Sequence, residues 1–144
     1  MLSSSCKYAI RASLYIALNS DTQKRIGIKK ISEELDLPAP FMGKILQSLA
    51  RKGILVSTKG PNGGFNLARP AERIRLMEII EVIDGPEAFN RCVMGLRTCG
   101  EQNKQCVFHE KYSGLRNDMR EMFRRETLER LIKDIRNGDQ QLVL

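Results

Sequence analysis

Residues 28–67 carry a pattern that few folds accommodate: two short amphipathic stretches joined by a proline-bracketed turn, then two strand-like runs around a glycine-rich tip. Ile28, Ile31 and Leu35 mark the first stretch, which is predicted to end near Asp36. Leu37-Pro38-Ala39-Pro40 makes the connection, with Pro40 suited to a first helical turn, where a missing N–H costs nothing. In the helix that follows, Met42, Ile45, Leu46 and Leu49 share one face. Phe41, Lys44, Gln47, Ser48 and Arg51 are left on the opposite or flanking surface, and Gly53 stops the helix. Residues 54–58 and 65–67 then flank Lys59-Gly60-Pro61-Asn62-Gly63-Gly64, a predicted hairpin with Asn-Gly at its tip. A helix-turn-helix followed by such a hairpin is a winged helix.

The flanking segments complete a mainly α chain. Ala9, Ile10, Leu14, Ala17 and Leu18 recur at helical spacing and predict a helix over 5–19. Leu76, Ile79, Ile80 and Ile83 predict another over 75–83, stopped by Asp84-Gly85-Pro86. After an aperiodic stretch, Tyr112, Leu115, Met119, Met122 and Phe123 form a stripe on a long charged helix from about residue 109. Thr127 reads as the N-cap of a last piece bearing Leu128, Leu131, Ile132 and Ile135. The expected division is a winged helix-turn-helix with a small β-hairpin wing over 1–84, a cysteine-rich loop over 85–109, a long C-terminal dimerisation helix with a short terminal helix over 110–137, and a tail over 138–144. The stripe has two readings: it covers the chain's own core, or it packs against a copy of itself across a two-fold axis, and the second is expected of a long helix after so small a domain.

Charge divides the chain. The 24 Lys+Arg and 17 Asp+Glu give +7 overall, yet residues 71–144 hold 13 of each sign while residues 1–70 hold 11 basic and 4 acidic side chains. All of the excess lies with the helix-turn-helix, as a polyanion partner requires. At 144 residues and 42% hydrophobic, there is material for one core and no second catalytic half. The longest N-terminal apolar stretch, 8–18, is interrupted by Arg11, so neither a membrane span nor a leader is expected, and the expected location is the cytoplasm.

In that compartment thiols stay reduced, so Cys92, Cys99 and Cys106, with six residues in each gap and His109 two residues beyond, point to metal or redox chemistry before a disulfide. Three thiols and an imidazole suit an iron–sulfur cluster. They also suit zinc, although paired C-x2-C spacing is missing, or a metal-free thiol switch, or no chemistry at all. A thiol enzyme using Cys106 and His109 lacks a visible oxyanion-holding glycine motif and a third orienting group. A zinc-stabilised adaptor would leave the basic half unexplained. Cys6 reads as a small buried hydrophobe.

Tyr8-Ala9-Ile10-Arg11-Ala12, the 37–49 turn and helix, the Gly60-Pro61-Asn62-Gly63-Gly64-Phe65 wing, the cysteine triplet, and Thr127-Leu128 followed by Leu131-Ile132 together resemble the IscR-type (IscR/NsrR/RirA/CymR) family of bacterial winged-helix transcription regulators. The resemblance spans about residues 1–137. It implies a homodimer on pseudo-palindromic promoter DNA and a cluster, 2Fe-2S before 4Fe-4S, held by Cys92, Cys99 and Cys106 with His109 as fourth ligand. The cysteine gaps are six here where the IscR pattern has five, and Tyr8 stands near the place where NsrR-like members lend an acidic ligand. The alternative within the family is a cluster-free repressor working through a thiol switch or a partner protein. On this reading Lys44, Gln47 and Ser48 contact bases, Phe41 offers a surface for a thymine methyl, Lys7, Lys29, Lys30, Arg51 and Lys52 contact phosphates, and Lys59 with Asn62, Gly63 and Gly64 reaches the minor groove.

Overall fold

The computed structural model describes residues 2–90, 92 and 107–138. Its first helix, α1, runs Ser4–Asn19; the Ser3 hydroxyl accepts from the Cys6 N–H at 3.0 Å, and Asp84 in turn accepts from the Ser3 N–H at 2.9 Å. Cys6 is fully buried, and burial, followed by the neighbouring Asp84 carboxylate, pushes its thiol up to about 12. It is therefore an unreactive core group rather than a ligand, in line with the sequence reading.

Helix α2, Ile28–Glu34, ends where Asp36 takes a left-handed conformation with φ 51°. Helix α3 runs Ala39–Arg51, with Pro40 in its first turn as the sequence predicts. Its end is a Schellman motif: Gly53, at φ 70°, donates to the Ala50 carbonyl at 3.1 Å, and Ile54 donates to the Leu49 carbonyl at 3.0 Å. Strands β1, Leu55–Thr58, and β2, Gly64–Leu67, pair antiparallel with Leu55 opposite Leu67 and Thr58 opposite Gly64. The fold is thus mainly helical, with a β-hairpin wing and helices beyond it.

Two features of the wing differ from expectation. The tip is centred on Pro61-Asn62, not Asn62-Gly63: Gly63 donates to the Gly60 carbonyl at 2.9 Å, and Asn62 keeps a negative φ. Proline's fixed φ pre-sets Pro61 for the second position of an ordinary turn, and five residues, 59–63, separate the paired ends Thr58 and Gly64, so the tight two-residue Asn-Gly turn does not form. A third piece also joins the sheet, because Ile26 exchanges both backbone hydrogen bonds with Phe65, at 3.0 and 2.9 Å.

After a 3₁₀ turn at Ala71–Arg73, helix α4 runs Leu76–Asp84; α5 runs His109–Arg125 and α6 runs Leu128–Arg136. Thr127 caps α6 by accepting from the Arg130 N–H at 3.3 Å. Leu128 donates to Ile74 and Leu76 donates to Glu126, each at 3.0 Å, which pins the start of α6 beside the start of α4. Leu128 and Ile132 are consequently sealed into the same core as Ile16, Leu46, Leu49 and Ile79. The last helix thus folds back onto the winged helix, while α5 keeps Leu115 62% and Met122 49% exposed. A smaller cluster of Cys6, Met77, Ile80 and Phe89 joins α1, α4 and the segment leading to Cys92.

Candidate nucleic-acid interface

Helix α3 owes its position to one face and its chemistry to the other. Met42, Ile45, Leu46 and Leu49 are all buried at 5% exposure or less, which turns Pro40, Gly43, Lys44, Gln47, Ser48 and Arg51 outward along an open trough. No carboxylate lines it. Lys29 and Lys30 are exposed on α2, Lys52 follows α3, Lys59 and Asn62 are exposed at the wing, Gly63 and Gly64 are half-buried there, and Lys7 is exposed on α1. Among the described residues, none of Lys7, Lys29, Lys30, Lys44, Arg51, Lys52 and Lys59 lies within ion-pair distance of a carboxylate; the four ion pairs found there involve Arg69, Arg124, Arg130 and Lys133. Unpaired cations retain their counterions until a polyanion displaces them, and that release drives sequence-independent duplex binding.

Two of the expected readers have local duties. The Ser48 hydroxyl gives its proton to the Lys44 carbonyl at 2.9 Å and accepts from the Arg51 guanidinium at 3.4 Å, leaving one lone pair for a base. The Phe41 ring leans edge-on against Tyr8, with centroids 6.2 Å apart at 87°, and the Arg11 guanidinium sits 5.6 Å from the Tyr8 centroid. Phe41 is 37% exposed, so one edge of its ring couples α3 to α1 while the rest stays open on the outer side of α3. The Tyr8–Arg11 part of this stack escapes a sequence reading because both residues lie on the flank of the α1 stripe.

The wing's glycines are structural. A Cβ on Gly63 would stand 2.3 Å from the Thr58 carbonyl oxygen, and one on Gly64, at φ 140°, would stand 2.6 Å from the Ile26 carbonyl oxygen. Both allow backbone to approach backbone, which keeps the hairpin tight against Ile26 and carries Lys59 outward.

Of the expected cluster ligands, Cys92 is buried and His109 opens α5, half-buried; Cys99 and Cys106 lie outside the described residues. Among the described residues no three metal-ligating side chains come together. The chain just ahead of Cys92 is tied to α5: the Phe89 ring packs 5.6 Å from Phe123, and Arg120 donates to the Phe89 carbonyl at 3.5 Å and to the Asn90 side-chain oxygen. Nothing in the sequence pattern marks Arg120 for this task. No helix among the described residues is long and apolar enough to cross a membrane.

Residues 2–134 match the family described as Rrf2, iron-dependent transcriptional regulator. The chain is 29% identical over 133 residues to the HTH-type transcriptional regulator IscR of Xenorhabdus nematophila, covering 92% of this chain and 79% of that one. Its fold is that of CymR, the global cysteine regulator of B. subtilis, with TM-score 0.75 at 20% identity over 92% of this chain and 96% of that one. T. potens IscR superposes equally well, with TM-score 0.75 at 21% identity over 97% and 91% of the two chains.

Proposed function

The chain belongs to the Rrf2 family of DNA-binding transcriptional regulators, related to IscR and CymR and not enzymes, and we propose that it binds promoter DNA as a homodimer whose grip depends on an iron–sulfur cluster. The observation that carries the duplex-binding half is the outward face of α3, acid-free and flanked by unpaired lysines on α2 and at the wing. Lys44 and Gln47 hold the donors that base edges take, Ser48 accepts, and Lys7, Lys29, Lys30, Arg51 and Lys52 meet phosphates. Lys59 beside Asn62, Gly63 and Gly64 serves the adjoining minor groove.

The donor chemistry supports the sensing half. Three thiols with one imidazole form a set that iron–sulfur clusters accept, and the two donors in view, Cys92 and His109, close the two ends of residues 93–108. Cys92, Cys99, Cys106 and His109 would hold the cluster, 2Fe-2S in preference to 4Fe-4S, which would supply a group whose presence follows iron supply and redox state. Phe89 and Arg120 fasten the approach to Cys92 onto α5, so a change at that thiol acts on the helix that carries Leu115 and Met122. An exposed apolar stripe on that helix fits a second copy of itself, which would fix the spacing of two α3 helices.

Titration of two variants tests the duplex reading. Lys30→Ala weakens binding to specific and random duplexes alike and lowers the salt slope by about 1, as loss of one phosphate contact requires. Lys44→Ala costs about 1–3 kcal/mol at one base position and leaves random-duplex binding nearly intact. Identical behaviour of the two on both kinds of duplex contradicts the assignment.

A further inference from the structure

Gly43 has no backbone reason to be glycine. It lies inside α3 with no left-handed φ, where glycine weakens a helix relative to alanine. A Cβ there would stand 3.1 Å from Ile28 Cδ1, the movable end of a half-buried side chain, so packing asks for only a small adjustment. Its location is more telling. Gly43 sits in the outward trough one turn beyond Pro40 and beside Lys44.

The N-terminal part of a groove-reading helix is the part that meets base edges. In α3 that part offers no polar side chain before Lys44: Pro40 has neither an N–H nor a polar group, Phe41 is turned onto Tyr8, and Gly43 is bare. The result is an apolar notch followed directly by two long donors, Lys44 and Gln47, with no carboxylate nearby. In the major groove one base alone presents an apolar group, thymine with its C5-methyl. Because Gly43 lacks a Cβ, that methyl can approach the helix backbone itself.

We infer that α3 reads a thymine through its C5-methyl, seated against Pro40 and the bare Cα of Gly43, before Lys44 and Gln47 read the neighbouring bases. This rests on the duplex-binding reading above and adds the first base of the half-site to it.

Duplexes selected from a randomised library by the wild-type full-length protein provide the test. Each thymine of the selected half-site is replaced in turn by deoxyuridine, which removes one methyl and keeps every hydrogen-bonding group. One replacement is expected to weaken binding about fourfold, the value of one buried methyl, and the others by much less. In Gly43→Ala the added methyl, directed at Ile28 Cδ1, covers the bare Cα, so the preference for the thymine duplex over the uridine duplex is expected to be lost. The inference is overturned if no thymine of the wild-type half-site responds to loss of its methyl, a result that needs no variant to fold, or if Gly43→Ala keeps the full preference for thymine. If no duplex is enriched at all, the duplex-binding reading fails first and this inference falls with it.

Discussion

Gly64→Ala is expected to destabilise the protein by about 3 kcal/mol, lowering its melting midpoint by roughly 10 °C. Two costs combine. At φ 140° an alanine is strained whatever the space around it, and its Cβ would stand 2.6 Å from the Ile26 carbonyl oxygen and 2.7 Å from the Ile26 carbonyl carbon. Both contacts are with backbone, so no side-chain rotation relieves them. The Ile26–Phe65 exchange must open, and with it goes the anchor that holds the wing to the domain. Gly27→Ala is the matched control, since Gly27 has open space and an ordinary φ of −69°; its cost stays near 1 kcal/mol, that of a poorer helix N-cap. Equal melting of Gly64→Ala and wild type would show that the wing does not press on Ile26 as described.

The second large effect concerns assembly. Leu115 and Met122 are exposed two turns apart on α5, in line with exposed Phe108, whereas Phe123 turns inward against Phe89. Replacing both Leu115 and Met122 by aspartate places charge on a face that only a partner would cover, so the protomer itself keeps its core. Sedimentation is expected to fall from about twice 16.4 kDa to that mass. Binding to a duplex with two half-sites is expected to drop about 100-fold or more, because the second contact is no longer intramolecular. A double variant that still sediments as a dimer would move the interface elsewhere.

Much of this architecture is legible from local chemistry. Pro38 and Pro40 place the turn and the first turn of α3, Gly53 supplies the residue that a Schellman end requires, and Thr127 announces the cap of α6. What escapes is what depends on tertiary contact. Ile26 joins the sheet by a one-residue bridge, too short to leave an alternating pattern. The return of Leu128 and Ile132 to the first core cannot be told from a helical stripe alone, because the same spacing serves any apolar partner. Phe41 has the chemistry of a groove reader, yet its neighbour Tyr8 is 33 positions away in the chain and only the fold brings them together. Gly43 stands out in the sequence as a weak helix former; the notch it opens needs the coordinates of α2 and α3. For the cysteine loop the position is reversed: the donor types are plain in the sequence, and the described structure adds the fastening of Phe89 and Asn90 to α5 by Arg120.

Dependence of duplex binding on a cluster held by Cys92, Cys99, Cys106 and His109 is tested by comparing loaded and stripped protein. Protein purified without oxygen is counted for iron and sulfide, half of it is stripped with a chelator, and both halves are titrated with the same selected duplex at one salt concentration. Iron and sulfide are expected in equal amounts, with a change in affinity of about 5–150-fold on stripping, the usual span of coupling between two sites. Equal affinities for the loaded and stripped protein, or a preparation with no iron when made without oxygen, would contradict this dependence and leave a winged-helix DNA binder whose thiols serve another purpose.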